Sequence, residues 1–184
     1  YNQSKTIGED AGSQVRVQTR VTEATEPGVR PARRRVEPLP TAPSGFAVTA
    51  ANKLAHGAVE RLQLSTAAEF NPLFIYGPPG TGKTELGRFA LDGLLQSGDV
   101  TDPLVLSGEA LARDVARAVR ASEMPALMAR WSQQDMVLLD EAHRLRGQRR
   151  AQAETVNLLH SVLQRGGRVL VLSRHAPQEI HGLD

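Results

Sequence analysis

With 184 residues, the chain is long enough for one α/β domain with a substantial core and some chain to spare. It has no cysteine, which excludes disulfides, thiol catalysis and cysteine-based zinc sites. The net charge of +2 is too small to identify a polyanionic partner, and no apolar run approaches the roughly 20 residues that span a bilayer. No membrane partner is therefore expected. With no signal-peptide pattern at Tyr1, the default compartment is the cytoplasm, and the sequence reads as part of a longer protein.

Residues 1–45 carry seven Lys/Arg against five Asp/Glu and hold five of the eleven prolines, whereas the remainder balances at fifteen against fifteen. Few large apolar residues lie in this segment, so it cannot offset its ordering entropy and is expected to be a disordered linker or tail. The run Arg33-Arg34-Arg35 reads as solvated linker, with contact to phosphate as the sharper alternative. Within the tail, Val15–Val21 alternates like a strand and is a candidate for the last strand of an upstream domain.

The pattern changes at Phe46, and residues 46–184 are expected to form one nucleotide-binding core. Ala51, Leu54, Ala55, Ala58 and Leu62 fall at helical spacing, with Thr49 available as N-cap. Asn71-Pro72 breaks the chain before a short buried strand, Leu73–Tyr76. After a glycine loop, Leu86, Phe89, Ala90 and Leu94 share one helical face. Pro103–Leu106 reads as a second strand. Ser107 is placed to cap a helix carrying Leu111, Val115 and Val119, and a helix or turn follows over Pro125–Trp131. Met136–Leu139 is a third strand, Thr155–Leu163 a helix, and Arg168–Leu172 a fourth strand entered through Gly166-Gly167. Strands that are apolar throughout, alternating with helices, predict a three-layer αβα fold with a parallel sheet covered on both faces.

Gly77-Pro78-Pro79-Gly80-Thr81-Gly82-Lys83-Thr84 matches G-x-x-x-x-G-K-[ST], between a predicted strand and a predicted helix. A triphosphate needs many donors and a cation close by. Glycines let backbone N–H groups turn inward, and the helix that follows adds its N-terminal donors and dipole. Lys83 is expected to reach the β- and γ-phosphates of ATP, and Thr84 to ligate Mg²⁺. Asp140-Glu141 ends an apolar strand one βα unit later. Asp140 suits the magnesium shell, and Glu141 suits a general base that polarises water. Together the two motifs argue for hydrolysis as well as binding. At the end of the fourth strand, Ser173, and after it Arg174, would face the γ-phosphate from beside the phosphate loop.

Other features carry less. Asp140-Glu141-Ala142-His143 also spells a helicase box, but the chain is too short for two helicase lobes, and His143 reads as a helix-start residue. His56, His160, His175 and His181 are isolated and are not assigned as metal ligands. Arg144, Arg146, Arg149 and Arg150 crowd one loop, which is either solvated or a contact for DNA or a neighbouring subunit.

The span Phe46–Asp184 resembles the AAA+ core of the DnaA family of bacterial chromosomal replication initiators. Asn71-Pro72-Leu73-Phe74-Ile75-Tyr76-Gly77 is similar to that family's block before the phosphate loop. Asn52-Lys53-Leu54-Ala55-His56 resembles its Asn-Arg-Phe-Ala-His block, Asp135–Glu141 its Walker-B strand, and Leu172–Ile180 the segment after its fourth strand. The filling Pro78-Pro79-Gly80-Thr81 and the pair Asp140-Glu141 are the general AAA+ version. The family usually carries an Asp-Arg pair where this chain has Arg174-His175.

The resemblance implies a five-stranded parallel sheet in the order 5-1-4-3-2, of which four strands are present. It implies Asn52 near the adenine, and Ser107–Ser132 as helices that line a filament and meet single-stranded DNA. It further implies ATP-dependent assembly on DNA, as a homo-oligomer whose sites are completed by a neighbour, in replication initiation or its control. The arginine finger, lid and C-terminal DNA-binding helices are expected beyond Asp184. Two other readings remain open at this point. One is an AAA+ machine such as a helicase loader or clamp-loader-like remodelling protein. The other is a nucleotide-gated interaction module, switching between ATP and ADP with little hydrolysis.

Overall fold

The computed structural model describes residues 16–19 (backbone), 48, 52–64 and 70–180. Thr49, Ala51, the Arg33–Arg35 run and His181 lie outside the described residues. The strands are β1 (Arg16–Thr19), β2 (Leu73–Tyr76), β3 (Pro103–Ser107), β4 (Met136–Asp140) and β5 (Arg168–Ser173). The helices are α1 (Lys53–Leu64), α2 (Lys83–Ser97), α3 (Gly108–Ala121), α4 (Met124–Trp131) and α5 (Arg149–Gln164). Short 3-10 turns follow β4 at Ala142–Leu145 and β5 at Pro177–Glu179.

Local chemistry accounts for several boundaries. The Ser107 hydroxyl accepts the Ala110 N–H at 3.1 Å and caps α3, as its position before the helix suggested. Glu109 in the first turn of α3 and Arg120 in the last oppose the helix dipole. Pro125 sits in the first turn of α4, where its missing N–H costs nothing. Helix α5 starts six residues before the expected Thr155. Its first turns carry an Arg150–Glu154 pair at 2.7 Å and a Thr155 hydroxyl bonded to the Ala151 carbonyl at 2.7 Å, so polar residues there hid the helical period. Two residues placed on core faces are exposed, Leu54 at 52% and Val119 at 47%. Val59 and Ala118 occupy the core in their place.

The sheet order is β1-β2-β5-β4-β3, with β2, β5, β4 and β3 parallel. These four have the relative order that the resemblance implied. The place beside β2 is held by β1, which pairs antiparallel to it, with Arg16 opposite Tyr76 and Thr19 opposite Leu73. The strand-like stretch Val15–Val21 thus contributes an edge of this sheet, not the end of an upstream domain, and the sheet is not parallel throughout. An edge strand pairs on one side only, so its direction is free of the crossover constraint that governs the interior.

Side chains alternate between two cores on opposite faces. Leu73, Ile75, Met136, Leu138, Leu170 and Leu172 pack under α1 and α2. Val137, Leu139, Val169 and Val171 pack under α3, α4 and α5. Burial on both faces is why β4 and β5 are apolar without a period of two. Among the described residues, no helix is long and apolar enough to cross a membrane.

Side-chain hydrogen bonds fasten the N-terminal ends of the strands. Asn71 donates to the Gly167 carbonyl at 2.7 Å and accepts the Val169 N–H at 2.8 Å, tying the start of β2 to β5. Asp135 accepts from the Thr101 N–H and hydroxyl and from the Asp102 N–H, at 2.7, 2.9 and 3.0 Å. Asn71→Ala would leave a backbone donor and acceptor unpaired. It is expected to cost about 1–3 kcal/mol of stability, read from the urea midpoint at unchanged m-value. An unmoved midpoint would show that the clamp carries no stability.

Candidate nucleotide-binding site

The opposite, C-terminal ends of the strands form the site. Parallel pairing sets Tyr76 opposite Ser173 and Ser107 opposite Asp140. The loops leaving β2, β4 and β5 therefore emerge side by side, and the Gly77 N–H donates to the Ser173 carbonyl at 3.3 Å. The chain runs from β2 to the far edge before β5 returns beside it, and open α/β sheets bind ligands in the crevice such a reversal leaves.

Between β2 and α2 the chain bends through Gly80 and Gly82, with φ of 78° and 80°, where a side chain would be strained. Lys83 opens α2 and turns back over the loop. Its Nζ donates to the carbonyls of Gly77 at 2.8 Å and Pro78 at 2.7 Å and to the Thr81 hydroxyl at 3.2 Å. Burial lowers the pKa of the ammonium; Asp140 opposes that shift and Arg174 adds to it.

Thr84, next on α2, donates its hydroxyl to Asp140 Oδ2 at 2.7 Å, and Asp140 Oδ1 accepts the Glu141 N–H at 2.7 Å. This pair offers two hard oxygen ligands at one point. That fits magnesium, which takes one or two protein oxygens and completes its octahedron with phosphates and waters. Among the described residues no cluster of three or more His, Cys, Asp or Glu could form a metal cage.

Glu141 adopts the left-handed conformation, with φ 50° and ψ 41°, a sparsely populated region that non-glycine residues occupy mostly where surrounding structure imposes it. Helix α3 begins close to it. A Cβ on Gly108 would fall 2.6 Å from the Glu141 carbonyl oxygen, so only glycine fits at that helix start. The Glu141 carboxylate lies 3.8 Å from Arg174 Nη2 and 3.9 Å from Arg144 Nε. Ser173 is 1% exposed, and its hydroxyl accepts the His175 N–H at 3.1 Å. The Arg174 N–H donates to His143 Nδ1 at 3.4 Å. Burial lowers the pKa of His143, and Arg174 adds to the shift, which keeps the ring neutral and able to accept.

Pro79, Gly80, Gly82, Lys83 and Thr84 line one cleft of about 340 Å³ with Asp140, Glu141 and Ser173. Gly77, Pro78 and Thr81 form the loop behind it and hold Lys83. Asn52 is elsewhere. It stands just before α1, 6% exposed, and is not among the residues lining this cleft. Arg174, placed second to Ser173 from the sequence, lines the cleft with its side chain 44% exposed. His143 and Glu85 line it too, although sequence spacing assigned them no role there. The signal for His143 was its place two residues beyond Glu141, read instead as a helix start. Arg144, Arg146, Arg149 and Arg150 are exposed, with Arg150 paired to Glu154.

Comparison with known proteins agrees with this geometry. Residues 43–184 match the model of the bacterial DnaA ATPase domain. The chromosomal replication initiator DnaA of Synechocystis sp. is 31% identical over 140 residues, covering 76% of this chain and 31% of that protein. The DnaA of Herpetosiphon aurantiacus is 33% identical over 141 residues, covering 73% and 28%. The chain thus spans about a third of the length of these curated relatives. A replication initiator DnaA bound to AMPPCP and single-stranded DNA superposes with a TM-score of 0.69 at 25% identity, covering 76% of this chain and 43% of that one. AMPPCP-bound DnaA from Aquifex aeolicus gives 0.67 at 26% identity, with the same coverage. The family match spans the four parallel strands β2 to β5, the phosphate loop and both acidic residues, and the chain belongs to the bacterial DnaA ATPase domain family.

Proposed function

We propose that this chain is the nucleotide-binding core of an AAA+ ATPase. It would bind ATP with Mg²⁺ and hydrolyse it in the service of DNA replication initiation or its regulation. The observation that carries the reading is the 2.7 Å contact between Thr84 and Asp140 in the same cleft as Lys83 and Glu141. It brings a phosphate-loop hydroxyl and a strand-end carboxylate, 56 residues apart, to one point.

The loop N–H groups and Lys83 would hold the β- and γ-phosphates, and Thr84 and Asp140 the magnesium, which supplies charge neutralisation. Glu141 would accept a proton from water as the water oxygen bonds to the γ-phosphorus and ADP departs. Ser173 would support the γ-phosphate region from β5. The residue Asn52 would approach the adenine only if the base reaches the start of α1. Residues 46–184 act as the core in this reading, joined at the sheet edge by β1 from the N-terminal segment, in the cytoplasm, where the chromosome is replicated.

DNA is the second proposed partner. Arg113, Arg117 and Arg120 are exposed at helical spacing on α3, inside the region whose counterpart the resemblance sets against single-stranded DNA. One of the solved relatives carries single-stranded DNA together with its nucleotide analogue. Assembly into a homo-oligomer would complete the site from a neighbouring subunit.

In the intact protein, Lys83→Ala is expected to abolish detectable ATP binding in equilibrium titration; retained affinity would sink the phosphate-loop assignment. Glu141→Gln should leave ATP binding in place and lower turnover by roughly 100-fold or more, the scale of general-base catalysis. Turnover unchanged by it would favour a nucleotide-gated switch over an ATPase. Replacing Arg113, Arg117 and Arg120 together by alanine should reduce the salt slope of single-stranded DNA binding by about 2, close to 0.7 per lost phosphate contact. An unaltered slope would return α3 to solvent.

A further inference from the structure

We propose that Glu85 reads the sugar of the nucleotide, its carboxylate accepting a hydrogen bond from a ribose hydroxyl, so that the site takes ribonucleotides in preference to deoxyribonucleotides. The proposal rests on the reading of the cleft as an ATP site and adds to it the group that recognises the nucleoside.

The starting point is a carboxylate with no part in the phosphate chemistry. Three acids line the cleft, Asp140, Glu141 and Glu85. Asp140 is bonded to Thr84, and Glu141 lies beside two guanidiniums. Glu85 follows Thr84 directly, in the first turn of α2. A carboxylate only accepts hydrogen bonds, and phosphate oxygens repel it. An acid kept beside such an anion needs a donor to face. In a nucleotide, the donors nearest the phosphates are the ribose hydroxyls.

Direction supports the same assignment. Successive helix residues point about 100° apart. Thr84 faces Asp140 at 2.7 Å. Gly87 faces the sheet, where an added Cβ would fall 2.7 Å from a Leu172 methyl and 3.3 Å from one of Leu138. Glu85, two positions before Gly87, is therefore turned away from the sheet, and its side chain tilts toward the phosphate loop. Phe89, four positions on, shares its face and stacks on His56 at 4.9 Å. The His56 N–H donates to the Asn52 carbonyl at 2.8 Å, so this flank of α2 meets the first turn of α1. Glu85 thus stands between the phosphate loop and the start of α1. A nucleotide with its phosphates in the loop and its base toward α1 would carry its ribose past this carboxylate.

The carboxylate is also held in place. Arg88, one turn along α2, donates to Glu85 Oε1 at 2.7 Å. The Arg88 side chain is 17% exposed and that of Glu85 44%. The well-covered guanidinium anchors one oxygen and leaves Oε2 without a hydrogen bond among the described residues. An anchored carboxylate with one oxygen to spare is a preorganised acceptor for a single hydroxyl.

The test is equilibrium binding of ADP, 2′-deoxyADP and 3′-deoxyADP, each with magnesium, to the intact protein and to its Glu85→Ala, Glu85→Gln and Lys83→Ala variants. The unaltered protein is expected to bind ADP about fivefold or more tightly than at least one deoxy analogue, since a hydrogen bond to a charged acceptor goes with the hydroxyl. Glu85→Ala should weaken ADP by the same factor, hold that analogue within about twofold, and so erase the preference. Glu85→Gln, whose carbonyl still accepts, should retain part of it. Lys83→Ala should remove binding of all three. Equal affinity of the unaltered protein for the three nucleotides, or a preference that survives Glu85→Ala, would overturn the role of Glu85 and leave the nucleotide site standing. Failure of the unaltered protein to bind any of them would overturn the site itself.

Discussion

The site depends on one placement, the insertion of β5 between β2 and β4. Last of the parallel strands in the chain, β5 separates the phosphate loop from the acidic pair by one strand width and supplies the residues between them. Its hydrogen bonds set Ser173 against Tyr76 and Val171 against Leu139. A one-residue slip would turn Val169 and Val171 toward the wrong face and carry Ser173 away from Gly77. Burial of both faces opposes such a slip, because every β5 residue from Val169 to Ser173 is buried. At the other end of the strand, Asn71 grips the Gly167 carbonyl and the Val169 N–H, which holds the same register.

On that frame the cleft is an electrostatic balance kept in protein hands. Lys83 is neutralised in part by loop carbonyls, Asp140 by the Thr84 hydroxyl and the Glu141 N–H, and Glu141 by two guanidiniums at arm's length. Each of these partners stands where a phosphate, a metal or a water could take its place.

Much of this was legible in the sequence, and the boundary has a physical cause. The phosphate loop is local, because eight consecutive residues between an apolar strand and a helix suffice to specify it. The strands showed as apolar runs because both their faces are buried. Asp140 could be matched to Thr84 because each ends or opens an element whose place in such a sheet is fixed. The start of α5 was hidden because an ion pair and a buried threonine replace apolar residues in its first turns. Alternation in Val15–Val21 marked a strand but could not name its partner, since an edge strand can pair wherever backbone groups are free. The approach of Arg174 to Glu141 was illegible for another reason. It joins the ends of two strands, and only the direction of two flexible side chains decides it.

The two hydrophobic clusters divide the cleft along its length. Helix α2, which carries the phosphate loop, is anchored in the cluster under α1. The turn after Glu141 is anchored through Ala142 and Leu145 in the opposite cluster, with α3 and α5. The phosphate-loop side and the acidic side of the cleft are thus mounted on separate clusters that share the strands between them. The cleft therefore sits at the edge of one sheet whose two faces are packed by different helices, and strand register is what aligns its two sides.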